Sequence, residues 1–231
     1  ILFLTFAKNF YKGTLFYFLE CNNSHIIMLN IHNLSVSFGG TYLFEEVTFR
    51  LGSGDRVGLV GKNGAGKSTF LKILSGEIEP NKGSVEVGKG ERMSFLKQNQ
   101  FEFDEETVLN TVLMGHKEMM EVMQKKDAIY MNPDATEDDY MKASELEGEF
   151  GEMGGYEAES NAGSLLSSLG IEENYHQSLL KDIPGNMKVR VLIAQALFGN
   201  PDILLLDEPT NGLDIETIGW LENFLADYEN V

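Results

Sequence analysis

The stretch GKNGAGKS, which runs from Gly61 to Ser68, contains the residue types that bind nucleotide phosphates. It fits the pattern G-x-x-x-x-G-K-[ST], which must follow a strand and open a helix. Glycines let backbone N–H groups close around phosphate oxygens, and the helix N-terminus adds favourable partial charge. Lys67 supplies a mobile charge to the β- and γ-phosphates, and the Ser68 hydroxyl is a ligand for Mg²⁺. The stretch predicts a phosphate-binding loop (P-loop) for ATP and Mg²⁺ rather than a glycine turn without a ligand.

The predicted nucleotide contacts of this loop are Gly61, Asn63, Gly64, Ala65, Gly66, Lys67, Ser68 and Thr69. Lys67 is also assigned a catalytic role, because its charge is placed at the phosphate that is transferred. Ser68 is assigned to the metal as well.

A second stretch, ILLLDEPT, places two acids at the end of a predicted strand. Four apolar residues, Ile203–Leu206, predict a parallel strand that is buried on both faces. Asp207 and Glu208 follow at its carboxyl end, where α/β sheets bind ligands. Asp207 fits the Walker B role of holding Mg²⁺ through water, and Glu208 is placed to polarise the attacking water. Two acids alone are also consistent with a solvated turn, but a P-loop in the same chain favours the catalytic interpretation.

The elements that must position these groups are those of an α/β fold. Residues 55–61 predict a buried strand that leads into the P-loop, and a helix follows through Ser68–Leu74. Alternation from Leu29 to Leu51 predicts antiparallel strands. GSVEVG and RMSFLKQ, further along, predict two more short strands.

After Gln100 the hydrophobic period becomes helical. One amphipathic stripe is expected from Leu109, Val112, Leu113, His116, Met120 and Met123. His116 is therefore interpreted as part of this stripe and not as a ligand. Thr136 with Asp139 predicts a capping box that opens a second helix through about Phe150. A further helix is expected to end at Gly170.

Composition limits the function classes. The formal net charge is −18, and residues 101–160 alone carry 17 acidic residues against four lysines. This does not resemble a nucleic-acid-binding surface, which needs a basic stripe; a solvated acidic helical face is favoured over a site for a basic partner. The single Cys21 fits a reducing compartment.

The N-terminal residues are apolar but do not predict a membrane helix. Lys8, Lys12 and Glu20 divide them into short pieces, whereas a spanning helix needs about 20 predominantly apolar residues. No clear signal peptide is present either. We expect the folded domain to begin at Met28.

Two longer stretches resemble an ATP-binding-cassette ATPase of the ABC-F class: GKNGAGKSTFLKILSGEIEPNKGSV, and AQALFGNPDILLLDEPTNGLDIETIGWLENFL. The resemblance also includes the region of Gln98 and covers essentially Leu29 to Val231. ALFGNPDILLLDEPTN is its most class-specific part. ABC-F proteins are soluble, contain two cassettes, lack transmembrane domains and act on ribosomes. An ABC cassette with an antiparallel β subdomain and an inserted helical arm is therefore the expected fold.

The resemblance implies roles for residues outside the two motifs. Gln98 resembles the Q-loop glutamine that senses Mg²⁺ and the γ-phosphate, which makes it a catalytic and metal-site residue, with Gln100 as the alternative. Phe38 resembles the aromatic residue that stacks on adenine, and an ordinary core aromatic is the other interpretation. Asp214 resembles the D-loop aspartate that communicates between cassettes. Gly212 stands where the class commonly has histidine or asparagine.

The stretch IPGNM, Ile183–Met187, occupies the position of the LSGGE signature of such ATPases. Gly185 keeps the central glycine, whereas Pro184 replaces serine and Asn186 replaces the second glycine. Proline has neither an N–H nor a hydroxyl, so one phosphate donor is lost, although a proline is well tolerated at a helix start. We interpret this as a variant signature that serves a composite site shared with a second cassette.

The expected organisation has four parts. Residues 1–27 are an N-terminal extension of doubtful status, and 28–104 are the nucleotide-binding core with P-loop and Q-loop. Residues 105–160 are the helical arm, and 161–231 hold the helical subdomain, the signature-like motif and Walker B. The resemblance implies that the chain ends before a strand that carries a histidine for the γ-phosphate and inserts between the P-loop and Walker B strands.

The function expected from this resemblance is ATP binding and hydrolysis by an ABC-F protein of the cytoplasm, with ATP and Mg²⁺ as cofactors. The expected partners are a second cassette of the same protein and the ribosome, through the arm, and no membrane. One alternative is the ATPase subunit of an ABC membrane transporter. Another is a non-catalytic, ATP-gated binding module, which Glu208 disfavours. Residues 1–231 alone are expected to be inactive.

Overall fold

The computed structural model describes residues 14–19, 27–96 and 101–227. They divide into two compact units. The first contains the described residues of Ile1–Lys97, Pro201–Pro209 and Leu221–Val231, and the second those of Gln98–Asn200 and Thr210–Trp220.

The first unit carries the strands and the P-loop helix. Its elements are β1 (Thr14–Leu19), β2 (Ile27–Phe38), β3 (Thr41–Gly52), β4 (Arg56–Gly61), α1 (Lys67–Leu74), β5 (Lys82–Val87), β6 (Met93–Leu96) and β7 (Ile203–Leu206). The antiparallel strands, the P-loop helix and the two later short strands expected from the sequence are all present.

The antiparallel part is a sheet of order β3-β2-β5. Strands β2 and β3 form a hairpin closed by Gly39 and Gly40, whose φ angles of 57° and 79° are those of a type I′ turn. A side chain at either position would strain this backbone. The turn places Phe38 at the very end of β2, opposite Thr41.

The core of the first unit lies between this sheet and α1. Leu29 and Ile31 of β2 are fully buried, and α1 contributes Phe70 and Ile73 to the same cluster. The rings of Phe44 and Phe70 meet edge to face with centroids 5.4 Å apart, a favoured aromatic geometry. This packing fixes the helix whose first residue is the P-loop lysine.

The P-loop strand β4 does not have the burial expected of it. Its partner among the described strands is β1, which pairs with it antiparallel from Thr14↔Gly61 to Leu19↔Arg56. Val57 remains 37% exposed and Val60 53% exposed. The prediction of a buried strand at 55–61 is therefore wrong for this structure, because within the described residues only one edge of β4 is paired.

The Walker B strand β7 pairs parallel with β6, from Met93↔Ile203 to Leu96↔Leu206. The parallel pairing confirms the prediction, but only one face is fully buried: Ile203 and Leu205 are buried, while Leu204 and Leu206 are half-buried. Strands β4 and β7 are not paired with each other, and residues of both line a cavity of about 480 Å³. The strand expected between them stays a prediction.

The second unit is helical. Its helices are α2 (Val108–Leu113), α3 (Lys117–Tyr130), α4 (Glu137–Glu152), α5 (Ala158–Ser168) and α6 (Gly185–Leu197), and it shares α7 (Ile215–Asp227) with the first unit. Short 3₁₀ turns lie at Gly155–Glu157, Glu173–Tyr175 and Leu180–Asp182. Within the described ranges, no helix combines the length and the apolar character needed to span a bilayer.

The hydrophobic stripe from Leu109 to Met123, expected to form one helix, is divided between α2 and α3. The prediction of a continuous helix is therefore wrong between Leu113 and Lys117. The chain turns at Gly115, where an added Cβ would overlap the carbonyl oxygen of Gln195 in α6. His116 then caps α3, because its Nδ1 accepts a hydrogen bond from the Met119 N–H at 3.3 Å. The spacing of hydrophobic residues could not predict this corner, because it does not report that the backbone at Gly115 approaches the backbone of α6 closely.

The other helix signals are confirmed. Thr136 and Asp139 form the reciprocal capping box at the start of α4, and the helix continues two residues beyond Phe150, to Glu152. Gly170 follows α5 with a φ of 73°, as a helix-terminating glycine does. The expected boundaries of the arm, 105–160, stay a prediction.

Candidate nucleotide-binding site

The P-loop connects the end of β4 to the start of α1. Gly64 and Gly66 have φ angles of 79° and 95°, which lie in the left-handed region that favours glycine. A Cβ at Gly66 would also overlap the side chain of Leu43. The first N–H groups of a helix have no partner within the helix, and in α1 they belong to Lys67, Ser68 and the next residue. The local sequence therefore builds the concave row of donors that a phosphate requires.

The side chain of Lys67 folds back over this loop. Its Nζ donates to the carbonyl oxygen of Gly61 at 3.0 Å and to that of Lys62 at 3.3 Å. The ammonium is thus held above the loop backbone by two acceptors on one side. An ammonium has three donors, so a phosphate oxygen can be added to, or exchanged with, these carbonyls.

A cavity of about 330 Å³ opens over the P-loop, a volume typical of small-molecule sites. It is lined by Phe38, Leu43, Asn63, Gly64, Gly66, Lys67, Ser68, Thr69 and Glu208. The structure thus brings the predicted catalytic acid and the predicted adenine-stacking residue to the loop that they are expected to serve. Gly61, the last residue of β4, and Ala65 of the loop do not line this cavity.

Phe38 is 58% exposed, so it is not a core aromatic, and its ring is available to a ligand. Leu43 is a lining residue that sequence reasoning missed. The sequence did contain a signal for Leu43. A two-glycine turn places Thr41 opposite Phe38, and strand alternation then puts Leu43 on the same face as Thr41.

The two acids at the end of β7 have different environments. Asp207 is 7% exposed, whereas Glu208 is exposed and lines the P-loop cavity. Glu208 also has a φ of 50°, a left-handed conformation that costs an ordinary side chain roughly 1–3 kcal/mol and that clusters at functional sites. The strained residue is the one assigned to polarise water.

The residues expected at the metal are Ser68, Asp207 and Gln98. Gln98 lies outside the described residues, and so does its alternative Gln100. Nowhere in the described ranges do three or more His, Cys, Asp or Glu residues form a group that could hold a metal ion. Mg²⁺ in nucleotide sites keeps several waters and takes one or two protein ligands plus phosphates. A buried carboxylate at a strand end and a hydroxyl in the P-loop therefore fit Mg²⁺ bound together with ATP, and not a free metal site.

The variant signature forms the start of α6 in the second unit. Pro184 is the N-cap and Gly185 is the first helical residue. The space around the Gly185 Cα is open, with no heavy atom within 4 Å of an added Cβ. Packing among the described residues therefore does not demand a glycine there, and the exposed helix start could receive a phosphate.

Asp214 caps α7. One oxygen of its carboxylate accepts from the Thr217 N–H at 2.9 Å and from the Thr217 hydroxyl at 3.1 Å, and the other pairs with the guanidinium of Arg190. The backbone hydrogen bond from Thr217, followed by the Arg190 contact, holds the pKa of Asp214 far below its usual range. The sequence motifs did not predict that Arg190 pairs with Asp214.

Comparison with known proteins extends these observations. A family model described as "ABC transporter" matches residues 44–211. The chain is 56% identical over 203 residues to the uncharacterized ABC transporter ATP-binding protein YkpA of Bacillus subtilis, and 50% identical over 203 residues to the ATP-binding protein YbiT of Escherichia coli O157:H7. In both cases 88% of this chain is covered, but it spans only 38% of the relative's length. ABC transporter F family member 2 of Arabidopsis thaliana is 34% identical to this chain. The match covers 85% of this chain and 30% of the length of that relative.

Solved structures agree on the fold. The ATP-binding subunit of an ABC transporter superposes with a TM-score of 0.64 at 22% identity, covering 87% of this chain and 75% of its own. The dimeric bacterial ABC transporter cassette MJ0796 superposes with a TM-score of 0.63 at 23% identity. The match covers 88% of this chain and 86% of that cassette. The P-loop, the acid pair and the family match lead to one conclusion: this chain is an ATP-binding cassette of the ABC transporter family.

Proposed function

We propose that this chain binds MgATP in the P-loop cavity and hydrolyses it together with a second cassette, within an ABC-F type protein that acts on the ribosome in the cytoplasm. The observation that carries the ATPase part is the lining of one cavity by Phe38, Lys67, Ser68 and Glu208. A stacking surface, a phosphate charge, a metal ligand and an acid are the groups that ATP hydrolysis needs.

Each of these residues has a distinct task. The ring of Phe38 stacks on the base, and the P-loop N–H groups with Lys67 neutralise the phosphates. Ser68 and Asp207 hold Mg²⁺, which supplies charge neutralisation at the β- and γ-phosphates when bound. Glu208 accepts a hydrogen bond from the attacking water and takes its proton as the water oxygen bonds to the γ-phosphorus, while the bond from that phosphorus to the bridging oxygen breaks and ADP leaves. Gln98 is proposed to sense the γ-phosphate.

The ABC-F part rests on two supports. Relatives named as ABC transporter F family members 2, 5 and 4 of Arabidopsis are 34%, 34% and 32% identical to this chain. A second support is that helices α2, α3 and α4 lie within 105–160, the range expected for the arm of that class. In the proposal this arm contacts the ribosome.

The second candidate function is the ATPase subunit of a membrane transporter. It would use the same fold, which this chain shares with the transporter cassettes among the solved neighbours. Their identities of 22% and 23% support the shared fold alone.

The test uses Glu208→Gln in the complete protein. Hydrolysis should slow by roughly 10²–10⁴-fold, the usual contribution of a general base, while MgATP binding survives. ATP-bound protein should then accumulate on ribosomes in a sedimentation assay, and Lys67→Ala, which cannot bind ATP, should not. Accumulation in the membrane fraction would favour the transporter subunit, and hydrolysis at the wild-type rate would place the base elsewhere.

A further inference from the structure

The hairpin of α3 and α4 carries a cluster of exposed apolar side chains at its tip, where residues 131–136 connect the two helices. Tyr130 and Tyr140 expose half of their surface, and Met131 and Met141 expose more. The described residues include eleven large hydrophobic side chains that are exposed, and these four fall within twelve consecutive positions. Isolated exposed hydrophobic residues are normal, whereas a group of them marks an interaction site. We name these four residues the tip patch.

The two tyrosines of the tip patch face each other across the hairpin. Tyr130 is the last residue of α3, and Tyr140 lies in the first turn of α4. Their ring centroids are 6.4 Å apart and the rings are inclined by 39°, within the range at which aromatic pairs attract each other. Tyrosine loses little side-chain entropy on binding, and methionine adapts its shape to its partner. The tip patch therefore combines a positioned aromatic surface with adaptable neighbours.

The charges around the tip patch all have one sign. Residues 127–141 contain five acidic side chains and neither lysine nor arginine. Asp134, Glu137 and Asp138 are exposed, and none of these three has an ion-pair partner within the described ranges. The sequence alone favours a solvated face for such acids. A solvated face accounts for the carboxylates, but it does not account for four exposed apolar side chains among them.

The combination of rings and carboxylates selects the kind of partner. Carboxylates repel the phosphates of RNA and of an anionic membrane surface, both of which recruit basic protein segments. An arginine satisfies both parts of the site, because its guanidinium stacks on a tyrosine face and its N–H groups form paired hydrogen bonds with a carboxylate. Arginine, tyrosine and methionine are also the residues enriched where proteins meet.

We propose that the tip patch docks an arginine-bearing segment of a protein partner. Its guanidinium groups lie on the rings of Tyr130 and Tyr140, and the three exposed carboxylates accept their hydrogen bonds. The inference deepens the proposed contact of the arm with the ribosome, and it rests on that proposal for where the partner is found. It assigns the contact at the tip to a basic polypeptide and not to RNA.

The test measures binding of fluorescent probes to the complete protein by anisotropy at physiological salt. The probes are a short oligoarginine peptide, an oligolysine peptide of the same length, and single-stranded poly(U) RNA. The wild type should bind oligoarginine more tightly than oligolysine, because an ammonium lacks the planar fork that stacks on a ring. Poly(U) should show no binding that depends on the tip patch.

Two tyrosine variants test the rings. The double variant Tyr130→Ser/Tyr140→Ser should weaken oligoarginine binding by roughly 5- to 30-fold, the combined effect of two exposed cation–π contacts. Tyr130→Phe/Tyr140→Phe keeps both ring faces and should bind like the wild type. The phenylalanine variant, together with a thermal melt of each protein, separates loss of the rings from loss of the fold.

A matched pair of triple variants tests the charge. Neutralising the tip acids, as Asp134→Asn, Glu137→Gln and Asp138→Asn, should weaken oligoarginine binding by roughly 3- to 30-fold, as three exposed ion pairs would. The control neutralises three exposed acids of the same two helices, Glu118→Gln, Glu149→Gln and Glu152→Gln. These lie on the order of 12 Å or more from the tip patch along the helices, beyond the screening length of about 8 Å. The control should therefore bind like the wild type.

Three results would overturn the proposal: equal loss of oligoarginine binding in the two triple variants, wild-type binding by Tyr130→Ser/Tyr140→Ser, or poly(U) binding that disappears with the tyrosines. The last result would make RNA the partner of the tip. Failure of the Glu208→Gln protein to accumulate on ribosomes, with oligoarginine binding as expected, would instead overturn the ribosomal function and leave the tip patch as a docking surface.

Discussion

At the scale of single residues, Lys67 carries the sharpest prediction of the site. Lys67→Ala should abolish MgATP binding while leaving the fold intact, because the hydrogen bonds lost are two to carbonyls of the same loop. Lys62→Ala is the matched control: it removes a lysine of the same loop that the motif leaves free to vary. Titration with MgATP and a thermal melt measure the two outcomes. An unchanged affinity in folded Lys67→Ala would contradict the P-loop assignment.

The backbone of Glu208 gives a second prediction at this scale. Asparagine tolerates the left-handed region far better than glutamine does. In the complete protein, Glu208→Asn should therefore be more stable than Glu208→Gln by roughly 1 kcal/mol, the low end of the strain cost. Both variants are uncharged amides, so charge does not confound the comparison. Equal melting temperatures would show that the residue is not left-handed in solution.

Residue-level prediction from sequence has the most to work with where a motif couples residue type to local backbone. Gly64 and Gly66 of the P-loop have positive φ angles, and Glu208 lines the cavity over the same loop. Arg190 could not be found in this way. Its contacts are with Leu169 and Asp214, which lie on other helices, and nothing in the sequence next to Arg190 encodes those contacts.

At the scale of elements, the corner between α2 and α3 shows what periodicity misses. Gly115→Ala should destabilise the protein by about 1–3 kcal/mol, as overpacking does, because its Cβ would overlap the Gln195 carbonyl oxygen and a backbone cannot move aside cheaply. Gly148→Ala in α4 is the matched control. Gly148 has open space around it, so alanine should stabilise that helix by roughly 0.5–1 kcal/mol. A Gly115→Ala variant that melts like the wild type would mean that the corner is not close-packed.

The cap of α7 makes a prediction about pH. The folded pKa of Asp214 lies below its unfolded value, so the unfolded state binds its proton first as the pH falls. The stabilisation is therefore complete above the unfolded pKa of about 3.9 and declines below it. Acid unfolding curves should show the wild type losing its advantage over Asp214→Asn below about pH 4. An advantage that persists unchanged into stronger acid would show that the carboxylate charge does not contribute.

Where the prediction of helices and strands was wrong, the cause was a tertiary contact and not a local signal. The capping box of α4 and the glycine after α5 were identified correctly because such signals act within a few residues. The exposure of β4 depends on which strands pair with its two edges, and the alternation of its residues contains no information about that.

At the scale of the whole molecule, the P-loop strand β4 and the Walker B strand β7 belong to two separate pairs of strands among the described residues. Residues of β4 and β7 line a shared cavity of about 480 Å³, and among the described strands each is paired along one edge. Unsatisfied strand groups that become buried cost on the order of 1–3 kcal/mol each, against a total stability of about 5–15 kcal/mol. A strand in this cavity, as the family resemblance implies, would pair both edges and bury Val57.

We therefore expect residues 1–231 alone to unfold with low cooperativity and to release no phosphate over multiple turnovers. A chain extended to the length of its relatives should melt sharply and hydrolyse ATP, because in the proposal the added residues would pair these strand edges and complete the site. Calorimetry and a phosphate-release assay on the two proteins make the comparison. A variant of the longer chain with Val57→Asp should lose much of the gain in stability, because the charge would be buried against the added strand. A sharp melt with sustained hydrolysis from residues 1–231, or no effect of Val57→Asp, would show that β4 and β7 need no partner between them.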